Sequence, residues 1–247
     1  MKIAIIGLGH LGGALLEGLL KSGVSAGDIY AFVRADKVLS VRRRYGITSS
    51  DDINAVLAAA DTVFLVTKSA SFEELAKSID RVTLERTTVV SFMAGVTFER
   101  IYELIGEVRL VRAMPSLAIA QCDGVTGYTS APSEVEALFH RLGYAFEVAA
   151  ADIEKVMAFS ACGLGFAAYL IDAFSEAGVS LGFGAETSEL IAAQTFRNAI
   201  ERGGFKQTVK SVATPGGATE QGVKHMDAND AYGIVRGAVQ AAYDRMK

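Results

Sequence analysis

The stretch IIGLGHLGGALLEGLL, residues 5–20, decides the fold. An apolar run, KIAIIG (2–7), reads as a buried strand and stops at a cluster of glycines. A helical pattern follows over 11–23, with Leu15, Leu16, Leu19 and Leu20 on one side and Gly23 as its stop. Gly7, Gly9 and Gly12 form G-x-G-x-x-G at this junction. Gly7 permits the tight turn, Gly9 leaves room for a pyrophosphate against the backbone, and Gly12 lets helix and strand pack closely. The free N–H groups of the helix start suit the phosphates of a dinucleotide. His10 and Leu11 complete the loop and count as cofactor contacts, with a bystander side chain as the alternative for His10.

Working outward, strand patterns recur at 28–33, 62–66, around 88–93, 108–114, 124–130 and 144–149. Helical patterns lie between them at 36–46, 51–60, 71–79, 97–106 and 133–142, with Thr97 and Gly106 as caps of the fourth. Alternating β and α predicts a Rossmann-type, doubly wound, mostly parallel sheet covered on both faces. The alternation ends near residue 150. Helical patterns alone follow, at 152–160, 164–182, 185–203 and 218–246, the last broken near 228–230. Two domains are therefore expected: a dinucleotide-binding domain over 1–150 and an all-helical domain over 151–247.

The second strand is followed by Arg34 and Lys37 rather than by the acidic residue that commonly holds the ribose 2′-hydroxyl of NAD. A cation there suits a 2′-phosphate, so NADPH is the expected cofactor, with NADH as the alternative and Asp36 as a competing charge. Bulk properties narrow the rest. Hydrophobic residues make up 51% of the chain and charged residues 21%, enough for a sizeable core. A net charge of −4 without basic blocks argues against nucleic acid as a partner. Cys122 and Cys162 form no framework and the three histidines show no ligand spacing, so no metal site is expected and a cytoplasmic setting fits. The apolar run 156–171 counts 16 residues before Asp172, short of a bilayer span, and reads as a helix packed on other helices.

A second glycine turn, SVATPGGATEQGVKHMD (211–227), also feeds a helix. Free N–H groups there can hold an anion such as a carboxylate, and Thr219 falls in the first turn. A plain helix start capped by Thr214 or Thr219 is the alternative reading. The segment resembles the C-terminal signature of the pyrroline-5-carboxylate reductases, with its Pro-Gly-Gly-x-Thr core. ADTVFLVTKS, VVSFMAGVT, VRAMPS, AFSEAGVSLGF and AAQTF resemble further segments of that family in the same order along nearly the whole chain.

The resemblance implies NAD(P)H-dependent reduction of a cyclic imine to proline by hydride transfer to the imine carbon. It also implies a cytoplasmic homodimer or higher oligomer built on the helical domain, with a small imino acid as substrate and neither nucleic acid nor membrane as partner. By position, Thr219 bonds the substrate's ring nitrogen. The turn of Gly216, Gly217, Ala218 and Thr219 holds its carboxylate, while Lys68, Met114 and Pro115 contact the cofactor. Three motifs depart from the family's pattern. Ser116 replaces an Asn, Ser160-Ala161-Cys162-Gly163-Leu164-Gly165 lacks its proline, and so does Lys68-Ser69. Two other classes therefore stay open. One is a β-hydroxyacid dehydrogenase relative using Lys155, although Phe159 stands where its Asn is expected. The other is a nucleotide-binding paralogue without catalysis.

Overall fold

Short runs, most of them apolar, become strands. The computed structural model describes residues 1–246. Its strands are β1 (Ile3–Ile6), β2 (Ile29–Phe32), β3 (Thr48–Ser50), β4 (Thr62–Leu65), β5 (Thr88–Ser91), β6 (Arg109–Pro115), β7 (Gly124–Tyr128) and β8 (Gly143–Glu147). They form one sheet in the order β3-β2-β1-β4-β5-β6-β7-β8. Every neighbouring pair is parallel except β6 with β7. That exception follows from reach. Only Ser116 to Asp123 join the two strands, with a single 3₁₀ turn over Leu117–Gln121, and a parallel crossover needs a dozen residues or more.

The side-chain alternation of a strand divides the core into two layers. Ile3 and Ile5 face a layer containing Leu15, Leu16 and Leu19 of α1 (His10–Lys21). Val38, Val41 and Tyr45 of α2 (Val38–Tyr45) pack against that layer. Ala4 and Ile6 face the opposite layer, built with α3 (Ile53–Ala58), α4 (Ser69–Ala76) and α5 (Phe98–Ile105). Each fully buried leucine contributes about 1.5–3 kcal/mol of gross hydrophobic stabilisation. The helix α6 (Ser133–Arg141) returns the chain to β8 on the α1 side. There Tyr128 donates to Glu136 at 2.7 Å, and burial, then that bond, pushes its phenol up to about 12.

The expected caps form: Thr97 accepts from Arg100 N–H at the start of α5, and Gly106 caps its end. A further cap, Asp52, accepts from the N–H groups of Asn54 and Ala55 at the start of α3. The edge strand β3 has no counterpart in the sequence reading.

The chain separates into two compact units, Met1–Ala161 with Arg245 and Met246, and Cys162–Asp244. The first unit runs past residue 150 because Ile153 and Val156 of α7 (Ile153–Val156) are buried with Met114, while Phe146, Val148 and Met157 pack against them. A π-helical turn, Met157–Ala161, ends the unit. The second unit holds α8 (Cys162–Ser180), α9 (Ala185–Arg202), α10 (Phe205–Val212), α11 (Ala218–Ala228) and α12 (Ala231–Asp244). Small buried residues, Ser175, Ser188 and Ala192, let α8 and α9 approach closely, and Phe174 meets Phe196 edge-on at 5.8 Å. The predicted break near 228–230 falls between α11 and α12.

The length of the apolar helix corrects the sequence reading. The helical run Ala150–Ser180 is 31 residues long with a mean hydropathy of 1.6 over its most apolar window, long and apolar enough to cross a membrane by length and composition. The shorter count stopped at Asp172, a single charge that the helix carries without ending. Nor is the run buried in this chain: Phe159 is 75% exposed and Tyr169 73% exposed.

Candidate functional site

The strand order reverses at β1, whose neighbours are β2 and β4. In open α/β sheets the crevice outside the carboxyl ends of such strands is where ligands bind. The glycine loop lies there because it directly follows β1. Gly7 adopts φ +106, and a Cβ on it would stand 2.8 Å from the Val66 carbonyl oxygen and 2.9 Å from Thr67 Cγ2. A Cβ on Gly12 would fall on the Gly7 carbonyl. Gly9 differs: a Cβ there would meet no protein atom within 4 Å. Gly9 is also the N-cap of α1, with no side-chain cap and no acidic residue in the first turn. The loop therefore presents uncapped N–H groups to an open space, as a pyrophosphate requires.

Two clefts of the first unit begin at this loop. One, of about 360 Å³, runs along Gly7, Leu8, Phe32, Val33, Arg34, Lys37 and Val41 to Thr67 and Leu75. Its lining has two cations and no carboxylate. Asp36, the competing charge, pairs with Arg34 at 3.3 Å, but the two side chains are 79% and 61% exposed. Such a pair is worth little and leaves Arg34 available to a phosphate. The other cleft, of about 220 Å³, is apolar. Phe92, Met114, Pro115, Leu117, Met157 and Ala161 line it together with His10 and Leu11. Dimensions and chemistry fit a nucleotide with its phosphorylated ribose in the first cleft and its nicotinamide in the second.

The structure thus brings together Gly7 and Arg34 in one cleft, and His10, Leu11, Met114 and Pro115 in the other. Lys68 lines neither; it is exposed at the N-cap of α4. In the second unit, Gly216 adopts φ +75 and Gly217 is the N-cap of α11 without a side-chain cap. Two of that turn's amides are already engaged. Gly216 N–H donates to Glu220 Oε2 at 3.0 Å, and Gly217 N–H to the Thr214 carbonyl at 2.9 Å. The amides of Ala218 and Thr219 remain for an anion, with Thr219 exposed beside them. Leu117 and Ala161 lie in the two departing segments, 114–119 and 160–165, which the family resemblance places at the pocket. Phe92, inside the motif 89–97, and Met157 were not singled out, and nothing in their residue types marks them.

Comparison with known proteins favours one of the open classes. A family model described as pyrroline-5-carboxylate reductase dimerisation matches residues 150–247, and one described as NADP oxidoreductase coenzyme F420-dependent matches residues 2–95. Pyrroline-5-carboxylate reductase of Staphylococcus saprophyticus is 29% identical, covering 99% of this chain and 96% of its own. That of Escherichia coli is 28% identical over 92% of this chain and 90% of its own. Together these matches support the pyrroline-5-carboxylate reductase family for this chain. Solved structures agree on the fold. A pyrroline-5-carboxylate reductase from Coxiella burnetii matches with a TM-score of 0.86 at 27% identity, covering 99% of this chain and 97% of that one. The NADP-bound pyrroline carboxylate reductase of Plasmodium falciparum matches with 0.91 at 21% identity, covering 100% and 97%.

Set in the pyrroline-5-carboxylate reductase family, the departures acquire local explanations. Ser116 is buried and used by the fold. Its Oγ accepts from Val125 N–H at 3.1 Å, and its own N–H donates to the Val125 carbonyl. The next side chain, Leu117, is the one that reaches the apolar cleft. Burial pushes the Cys162 thiol up, which keeps it protonated at neutral pH and unsuited to nucleophilic work. Lys155, the base required by the β-hydroxyacid alternative, is exposed and paired with Asp152 along α7, outside the lining of both clefts.

Proposed function

We propose that the protein reduces 1-pyrroline-5-carboxylate to L-proline, the last step of proline biosynthesis, with NADPH as reductant. The observation that carries this reading is the uncapped start of α1 opening onto one cationic and one apolar cleft. The full-length likeness to curated pyrroline-5-carboxylate reductases supports it. When bound, the reduced nicotinamide supplies a hydride to the carbon of the protonated imine. The residues of this chain bind and orient. The glycine loop holds the pyrophosphate and Arg34, aided by Lys37, the 2′-phosphate. His10, Leu11, Met114 and Pro115 pack about the nicotinamide ring. Ala218 and Thr219 N–H groups hold the substrate carboxylate, and the Thr219 hydroxyl bonds the ring nitrogen. A protonated imine is already electrophilic, so positioning at near-attack distance supplies much of the rate.

NADPH oxidation followed with pyrroline-5-carboxylate, and then with a small 3-oxo acid, tests the reading. Turnover of the first alone is expected; turnover of the second alone would overturn it. Cofactor preference has its own check. Arg34→Ala removes a charge-assisted contact worth about 1.5–3 kcal/mol, so the NADPH dissociation constant should rise about 10–100-fold while that for NADH stays put. Equal losses for both would exclude a 2′-phosphate role.

We also infer a homodimer, working in a reducing cytoplasm that leaves Cys122 and Cys162 free. The dimerisation family model covers the helices whose apolar side chains stand exposed in the single chain, Tyr169, Leu181 and Tyr232 among them. So many large apolar side chains exposed in one region of the sequence are a signal of an interaction surface. Light scattering should therefore report at least twice the 26.1 kDa of one chain.

A further inference from the structure

Four chain segments line the apolar cleft: the start of α1, the end of β5 at Phe92, the end of β6 with Leu117 beyond it, and the π-helical turn. Three of them meet at one buried ion pair outside the cleft. Arg112 of β6, its side chain 5% exposed, donates to Glu154 Oε1 of α7 at 2.6 Å. The same guanidinium nitrogen reaches the Met93 carbonyl at 3.1 Å. Glu154 Oε1 also accepts from Gly95 N–H at 3.1 Å. One charge pair thus ties the turn after β5 and the opening turn of the long helical run, α7, to β6.

We infer that Arg112 and Glu154 are positioning residues that hold Phe92, Met157 and Ala161 in register around the nicotinamide. The turn of α7 opens the long helical run Ala150–Ser180, and the Arg112–Glu154 pair ties that opening turn to β6. The direction of α7 sets where Met157 and Ala161 emerge. The turn 93–95 likewise sets Phe92. Stability alone is a poor reason for the pair. Arg112 Nε and Glu154 Oε2 are buried and, among the described residues, have no hydrogen-bond partner. Well-packed apolar side chains often serve stability as well as a buried pair does, or better. What apolar side chains lack is the directional link to the Met93 carbonyl and the Gly95 N–H.

The inference rests on the nicotinamide reading of the apolar cleft, and its test reads the two clefts separately. The double variant Arg112→Met/Glu154→Leu and the near-isosteric Glu154→Gln would be compared with the native chain. Affinity for 2′,5′-ADP reports the cationic cleft. The enhancement and blue shift of bound NADPH fluorescence report the apolar one, and the isotope effect from 4-deuterated NADPH reports hydride transfer. The 2′,5′-ADP affinity is expected to stay within twofold in both variants. The fluorescence enhancement should fall at least twofold in both. The value of kcat should fall about tenfold in the double variant and threefold in Glu154→Gln, with a larger isotope effect. Native fluorescence and native kcat in Glu154→Gln would overturn the proposal, whether or not the double variant folds. A parallel loss of 2′,5′-ADP affinity would mean a merely structural pair and also overturn it. The fluorescence arm needs no imine. A native chain inactive on pyrroline-5-carboxylate therefore overturns the functional reading and leaves fluorescence to decide the role of the pair.

Discussion

Gly9→Ala is expected to leave the folded chain intact and to weaken NADPH binding at least 100-fold. The backbone at Gly9, φ −76 and ψ −160, is extended and open to alanine. The added methyl would meet no protein atom within 4 Å. Two small effects on stability oppose each other. Alanine is a poorer N-cap than glycine, while it restricts the unfolded chain; both are about 1 kcal/mol or less, so the melting temperature should barely move. The nucleotide is affected differently, because the methyl takes the space in which a pyrophosphate approaches the first amides of α1. A 100-fold loss corresponds to about 2.7 kcal/mol. Gly12→Ala is the contrast. Its methyl would fall on the Gly7 carbonyl, so it should lose both stability and nucleotide. Thermal unfolding and NADPH titration of the two variants separate these outcomes. A Gly9→Ala chain binding NADPH within threefold of native would remove the phosphate from this loop.

Much of this was legible in the sequence, for identifiable reasons. The strands β1, β4 and β5 are buried on both faces, so an unbroken apolar run marked them. Caps such as Thr97 and Gly106 carried their own chemistry. The strand β3, Thr-Ser-Ser, was illegible because its place depends on backbone pairing with β2 and on Ser49 bonding the Val38 carbonyl, not on apolar pattern. The helix α10 was missed because a short, half-polar helix between two glycine turns has no strong period of its own. In the site, the glycine loop and Arg34 were visible because their backbone freedom and charge are unusual at their positions. Phe92 and Met157 were not, because an apolar wall is made of the same residue types as a core. Arg112 was hidden for another reason: a charge in a strand reads as an edge, and only the approach of Glu154 from α7 explains its burial.

Thr219→Val should lower kcat/KM for pyrroline-5-carboxylate about 10–100-fold while leaving NADPH affinity and melting temperature unchanged. Threonine and valine share shape and β-branching, so the first turn of α11 keeps its packing. The Thr219 side chain is exposed and makes no hydrogen bond among the described residues, so the fold gives up nothing. What disappears is one hydroxyl at the ring nitrogen, worth about 1.4–2.8 kcal/mol if the contact strengthens as the imine is reduced. The split between kcat and KM then tells where the bond acts. A fall in kcat with little change in KM places it in the transition state, while a rise in KM alone makes it a ground-state contact. Thr219→Ser, which restores the hydroxyl, should recover most of the rate. The turn's own charges sharpen the expectation. Glu220 already takes the Gly216 amide and is paired with Lys224 at 3.1 Å, so a substrate carboxylate must rely on Ala218 and Thr219 N–H groups, which valine retains. Valine at 219 should therefore spare carboxylate binding and strike at the nitrogen. A native rate in Thr219→Val would mean that the ring nitrogen finds its partner elsewhere.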